Sequence, residues 1–470
     1  MKKLIITIIA FIILIFPPCL ALAAENKFGI HILEPSDLPK AAELVNSSGG
    51  DWGYVTIVIR DDDMNFEKWQ DFMDKCRETH LVPLIRIATH LENGVWVKPK
   101  IEDAQKWLEF FGRLNWPVKN QYVIIFNEPN QAKEWGGVIN PREYAHILSD
   151  FNEKLKIKNE NFKVLNAGFD LAASNSKSTM DAYGFWQEMN WEIPGIFEKI
   201  DGWVSHSYPN HGFVGKPWEK GRTSVKGYEW ELGILKNHFG LKKDLPVFIT
   251  ETGWPSDNFK FQISNFKLRR KFKYYPRETV ADYIKYAFEN VWLRDGRIKA
   301  ITPFLLNYPE ELFYNFSWID KNGSPFPQYE VVKNLPKPNW WPEQEEKIYL
   351  GEPNLPPFLV TQSVFKGKIL LINEGQSILG EKEEFLLKTT VVNDFLEVSD
   401  LKLTENILKP FQKTFLDFEI KTGTKSGEFK FAWEGTKEYK VRVLKPTLII
   451  KARLTFWEKI LSKLRLWWQK

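Results

Sequence analysis

Residues 122–130 read YVIIFNEPN: five residues suited to a buried strand, then a carboxylate held between an amide and a proline. An apolar strand that stops at Asn127, Glu128 and Pro129 places a carboxylate at the rim of a sheet. Burial can shift its pKa there, and a ligand can reach it.

Working outward, short β-rich runs alternate with amphipathic helical stretches from Lys27 to Leu335. They are KFGIHIL, YVTIVIR, LVPLIRI, YVIIFNE, FKVLNAGF, GWVSHSY, PVFITETG and AITPFLLN. Between them apolar residues recur at helical spacing, as in Phe66, Trp69, Phe72, Met73 and Cys76. Parallel strands joined by crossover helices produce this alternation, and eight such units predict an α/β (β/α)8 TIM barrel over 24–334.

The chain of 470 residues is 43% apolar and 15% aromatic, ample for a large core plus a smaller domain. A net charge of only +4, unevenly spread, gives the molecule as a whole no excess of base of the kind that marks a nucleic-acid binder. Residues 1–23 have two lysines, an apolar stretch and the small-x-small triplet Ala21, Leu22, Ala23, the form of a cleaved export signal. The expected location is secreted or extracytoplasmic. Cleavage leaves Cys76 alone, so an internal disulfide is excluded and stability must come from burial.

Repeated prolines across 335–358 predict a linker. Period-two alternation over 359–450, as in FQKTFLDFEI and YKVRVL, predicts about seven strands in an immunoglobulin-like β-sandwich. Residues 451–470 set Leu454, Trp457, Ile460, Leu461, Leu464, Trp467 and Trp468 on one helical face opposite Arg453, Lys459, Lys463 and Arg465. A basic amphipathic helix of this kind lies on a membrane surface or packs on the sandwich.

In a barrel of this kind, catalytic groups stand at the C-terminal ends of strands. The seventh strand, VFITETGWPS, ends in Glu251, roughly across the mouth from Glu128. Such a pair suits glycoside hydrolysis, in which one carboxyl donates a proton while the other stays ionised. His31, Arg86, His90 and Asn307 fall where a sugar would meet them. Of the rim tryptophans Trp135, Trp186, Trp218, Trp254 and Trp318, Trp254 is the one expected to stack on substrate. Asp61, Asp62 and Asp63 read as the acidic start of a helix running from Asn65, in preference to a cation site. The loop 258–277 carries seven Lys and Arg, interleaved with six Phe and Tyr and no acid before Glu278. It reads as a contact for an anionic glycan or lipid headgroups, or as a solvated insertion.

These motifs resemble the retaining glycoside hydrolases of clan A. Asn127-Glu128-Pro129 is similar to the Asn-Glu-Pro of families 5 and 39, and the Thr-Glu-Thr-Gly-Trp-Pro-Ser from Thr250 to the nucleophile signature of family 17. His206-Ser207-Tyr208 is similar to the His-x-Tyr of several members. The resemblance implies Glu128 as acid/base, Glu251 as nucleophile, Asn127 on the sugar 2-hydroxyl and Tyr208 bonded to Glu251. His206, with His31, Arg86 and Trp254, would complete the binding site. The implied activity is cleavage of β-linked polysaccharide or oligosaccharide without metal or cofactor. The alternatives are a transglycosylase on the same residues and a glycan-binding surface protein without turnover.

Overall fold

The computed structural model describes residues 25–257, 273–310, 312–390, 395–403 and 407–446. The segments expected to be an export signal (1–23) and an amphipathic helix (451–470), with most of the 258–277 loop, lie outside the described residues. Among the described residues, no helix is long and apolar enough to cross a membrane. Two compact units divide the chain. The first takes in residues to Leu114 and Asn120–Pro342, the second Asn115–Lys119 and residues from Glu343.

The first unit contains eight parallel strands: β1 Gly29–His31, β2 Gly53–Arg60, β3 Leu81–Ala88, β4 Gln121–Ile125, β5 Phe162–Leu165, β6 Trp203–Ser205, β7 Val247–Ile249 and β8 Ile298–Ile301. Each overlaps one of the eight segments expected, although four of them extend past the segment by one or two residues. Strands β1 to β5 pair in sequence order, as do β6 to β8. Parallel bridges Leu165–Gly202 and Phe28–Ile301 join the two groups into a closed ring. Their sequences are nearly continuous apolar runs because both faces are covered, and every residue of β4 is buried.

The helices are α1 Leu38–Val45, α2 Phe66–Glu78, α3 Asp103–Phe111, α4 Pro141–Lys158, α5 Ala182–Glu192, α6 Gly227–Asn237, α7 Arg277–Ala287 and α8 Pro327–Lys333. In α2 the apolar spacing does what it predicts, burying Trp69, Phe72, Met73 and Cys76. Asn65 caps this helix by accepting from the Lys68 backbone N–H at 2.8 Å. The acidic trio before it is spent on side-chain pairs: Asp63 with Lys68 at 2.5 Å, Asp62 with Arg60 at 2.8 Å and Asp61 with His90 at 2.9 Å.

Among the described residues, the second unit consists of β-strands and connecting loops. One sheet orders β9 Ile348–Leu350, β11 Val364–Asn373, β13 Lys413–Thr422 and β12 Leu396–Val398, a second orders β10 Leu359–Val360, β15 Tyr439–Leu444 and β14 Gly427–Phe431, and a short antiparallel pair joins Leu386–Leu387 to Leu401–Lys402. Their inward residues share one core that includes Ile369, Leu416, Phe418, Phe431, Trp433 and Val441. The stretch 335–358 differs from a free linker. Its first part belongs to the barrel unit, where Trp340 stacks on Tyr54, and Ile348–Leu350 forms a sheet edge. The prolines exclude helix and central strand, yet the apolar residues between them still gain by burial.

Ring closure leaves almost no room at Gly29 in β1. A Cβ there would lie 2.5 Å from Thr302 Cγ2 and 2.8 Å from the Tyr54 carbonyl. Gly29→Ala should therefore destabilise the barrel by about 1–3 kcal/mol, the usual scale of overpacking. Chemical denaturation followed by tryptophan fluorescence measures it; an unchanged midpoint would show that the seam is not tightly closed.

Candidate active site

The acid-bearing turn begins where β4 ends. Phe126 and Glu128 both adopt left-handed backbone, at φ 68° and 31°. For residues with a Cβ each costs about 1–3 kcal/mol and persists only where the surroundings enforce it. Here Phe126 is wedged edge-on between Trp135 and Phe151, and the Glu128 N–H donates to the Gly168 carbonyl at 3.0 Å. The strained turn aims the Glu128 carboxyl into the ring. Across the mouth, the segment after β7 is pinned by Thr252, whose hydroxyl donates to the Ser207 carbonyl at 2.7 Å.

The two carboxylates meet. A ring nitrogen of His206 and one carboxyl oxygen each of Glu128 and Glu251 all lie within 4.8 Å of one another. His206 Nδ1 sits between the carboxyls, 3.0 Å from Glu128 Oε1 and 3.8 Å from Glu251 Oε2. The far nitrogen, Nε2, is buried without a hydrogen-bond partner among the described residues, while Nδ1 faces the acids; burial lowers the His206 pKa, but the charges of Glu251 and Glu128 outweigh it and favour the protonated ring. Gly168 makes room for the ring, since a Cβ there would lie 2.1 Å from His206 Cδ2.

Glu251 is the better furnished with positive charge and donors. Arg86 Nη1 donates to its Oε1 at 2.5 Å and the Tyr208 hydroxyl to its Oε2 at 3.2 Å. The same Arg86 nitrogen donates to Asn127 Oδ1 at 2.8 Å. Burial by itself would raise the Glu251 pKa, but the charges of His206 and Arg86 outweigh it and hold the carboxyl below its ordinary range. Glu128 moves the other way. Its burial, reinforced by Glu251 and Asp170, exceeds the help from His206, so it keeps its proton to higher pH than a free glutamate. Two like groups in one pocket are thus driven to opposite protonation states.

Of the residues expected to bind substrate, Asn127, His206, Tyr208 and Arg86 are brought to the carboxylates. His31 is near them but only 2% exposed, so it offers substrate no surface. Burial, then the Arg86 charge, pushes its pKa down to about 3 and keeps it neutral. Trp254 does not line the site. It is 2% exposed, its indole N–H donates to the Gly215 carbonyl at 2.7 Å, and its ring meets Tyr283 edge-on. The gain from burying a large indole exceeds what a rim position offers. Trp135, Trp186 and Trp318 are buried likewise, while Trp218 is 54% exposed. His90 is engaged by Asp61 and Glu92, and Asn307 donates to Asp37 at 3.4 Å; neither touches the carboxylate pair.

Sequence reading missed Gln131, Glu134 and Asp170. Gln131 Nε2 donates to Glu128 Oε2 at 2.8 Å and to Asp170 Oδ2 at 3.1 Å. The signal available for two of them was position: Gln131 and Glu134 follow the acid by only three and six residues and so remain at the mouth.

No family model matches the chain, and no curated protein matches it. Among solved structures, a monomeric β-xylosidase from Caulobacter crescentus covers 86% of this chain and 97% of its own at 12% identity, with a TM-score of 0.46. The GH53 catalytic domain of Ignisphaera aggregans covers 67% and 98% at 15% identity, with a TM-score of 0.44. A Bacteroides uniformis β-glucuronidase covers 90% of this chain and 46% of its own at 11% identity, with a TM-score of 0.42. By name the three are a xylosidase, a GH53 domain and a glucuronidase. At such identities and scores they assign no activity to this chain, which must be argued from its own site.

Two substitutions test the site. Gly168→Ala should push the His206 ring off Glu128 and lower turnover at least tenfold while the melting curve stays cooperative; full activity would remove His206 from the machinery. Arg86→Gln removes one of the two charges that hold Glu251 ionised. Activity that needs ionised Glu251 is present above its depressed pKa and lost as pH falls through it, so the acidic limb of the pH–rate profile should move to higher pH. An unmoved limb would contradict the assigned pairing.

Proposed function

We propose that the chain is a retaining β-glycosidase acting on O-linked polysaccharide or oligosaccharide. The observation that carries this reading is the Glu128–Glu251 pair, which presents carboxyl oxygens within 4.8 Å of each other. Retaining enzymes hold their carboxyl groups about 5–5.5 Å apart, whereas inverting ones need about 6.5–9.5 Å to admit a water. The opposite pKa shifts support the division of labour.

Glu251, ionised and steadied by Arg86 and Tyr208, attacks the anomeric carbon. Glu128 passes its proton to the departing glycosidic oxygen, and the C–O bond breaks as the glycosyl ester forms. Formation of the ester cancels the charge on Glu251. The raised pKa of Glu128 had depended in part on that charge, so Glu128 now holds a proton less tightly and acts as base. It takes a proton from water, whose oxygen displaces Glu251 and restores the original configuration. His206 Nδ1, bonded to Glu128, keeps the carboxyl aimed through both steps.

We read the all-β unit as immunoglobulin-like. Export through residues 1–23, residence at a membrane surface through 451–470 and anionic contact through 258–277 belong to the same proposal on sequence grounds alone. Secretion of the full chain should yield a mature protein beginning near Ala24; a chain that keeps its first residues would overturn the export signal.

On β-glucans, mannans and galactans, wild type should release product whose first-formed anomer is β by proton NMR. Glu128→Gln and Glu251→Gln should each lose about 100-fold or more in kcat, the scale of a missing acid or nucleophile. An α product, or substituted chains as active as wild type, would refute the mechanism.

A further inference from the structure

Glu134 is a third carboxyl at the mouth, and it takes no part in the double displacement. It ends the short turn Ala132–Glu134 that follows the acid, with its side chain 10% exposed. Asn127 Nδ2 donates to Glu134 Oε2 at 3.3 Å, and Lys133 Nζ lies 3.7 Å from Oε1. The turn is a firm base. Its Ala132 N–H donates to the Ser178 carbonyl at 2.8 Å, and the adjoining Trp135 is fully buried with its indole N–H on Glu143 at 2.9 Å.

Contacts run in a line from Glu134 through Asn127 and Arg86 to Glu251. Arg86 Nη1 serves two acceptors, Asn127 Oδ1 and Glu251 Oε1, so its aim at the nucleophile depends on which way the Asn127 amide faces. With Oδ1 toward the guanidinium, Nδ2 must point away from it and needs an acceptor. Glu134 is that acceptor. A flipped amide would oppose N–H to N–H at Arg86 and oxygen to oxygen at Glu134, losing both bonds.

We infer that Glu134 is a positioning residue: its carboxylate fixes the Asn127 amide, which in turn holds Arg86 on Glu251. The inference deepens the glycosidase reading but stands on contacts that exist without substrate. Burial and the neighbouring Glu128 raise the Glu134 pKa to about 7. The carboxylate form, the acceptor that leaves no alternative orientation, is therefore lost as pH falls through about 7. A protonated Glu134 still accepts through its carbonyl oxygen, so the line weakens without breaking. The charged and titratable groups within reach are Lys133, Arg86 and Glu128 at Glu134, and Arg86, His206, His31, Tyr208 and Glu128 at Glu251.

The test is a carbon-13 carboxyl titration of the full chain, assigned through Glu251→Gln, beside kinetics. Wild-type Glu251 should titrate below the ordinary glutamate range. In Glu134→Leu, which removes the acceptor, its midpoint should rise. The acidic limb of kcat/KM should rise with it, and kcat/KM at its optimum should fall about 10- to 100-fold, the loss expected when a catalytic contact shifts by a fraction of an ångström. Glu134→Gln offers a carbonyl oxygen to Asn127 in the same place and should restore the wild-type midpoint. It serves equally if the leucine variant fails to fold, because a glutamine variant with a raised Glu251 midpoint overturns the inference, as does a leucine variant with an unchanged one. If wild type cleaves no glycan yet the midpoint moves as stated, the positioning role holds and the glycosidase reading falls.

Discussion

The site depends on one contact: the Arg86 guanidinium on Glu251 at 2.5 Å, at the mouth of a closed ring of strands. Two buried carboxylates within 4.8 Å repel one another and would both favour the protonated form. A fixed positive charge on one of them breaks the symmetry. It favours Glu251 as the anion and leaves Glu128 to carry the proton, the asymmetry that the proposed roles of nucleophile and acid require. Arg86 comes from β3, next to the β4 strand that leads to Glu128, and still reaches Glu251 beyond β7 because the ring is closed and narrow.

That ordering is maintained by close fitting. His206 lies against Gly168 with no space for a Cβ, and Phe126 and Glu128 hold left-handed backbone against the packing of Trp135 and Phe151. Backbone strain at a site is retained only where rigid neighbours over-determine it. The buried aromatic cluster behind β4 provides that rigidity, which explains why tryptophans near the rim are mostly interior and not available to sugar faces.

Much of this was legible in the sequence because parallel strands covered on both faces read as unbroken apolar runs, and all eight were found that way. Glu128 and Glu251 could be picked out as polar residues at the ends of such runs. Contacts between distant segments were not legible. Nothing in the sequence shows that Arg86 would direct its Nη1 amino group to both Asn127 and Glu251, 41 and 165 positions away. Glu134 lies in a turn without periodic pattern, and only the Asn127 contact reveals its role. Trp254 was misread because adjacency to Glu251 in the chain says nothing about side-chain direction: the backbone turns there and the indole goes inward. The prolines of 335–358 pointed to a tether, but they constrain backbone only, and Ile348–Leu350 still finds a partner in β11.

The most direct test of the central claim is to trap the covalent intermediate. A panel of activated 2-deoxy-2-fluoro β-glycosides slows departure of the sugar, and peptide mass spectrometry then locates it. The account predicts a glycosyl ester on Glu251, formed in wild type and abolished in Glu251→Gln. A sugar attached at Glu128, or turnover with one of these glycosides that leaves no adduct on Glu251, would contradict it.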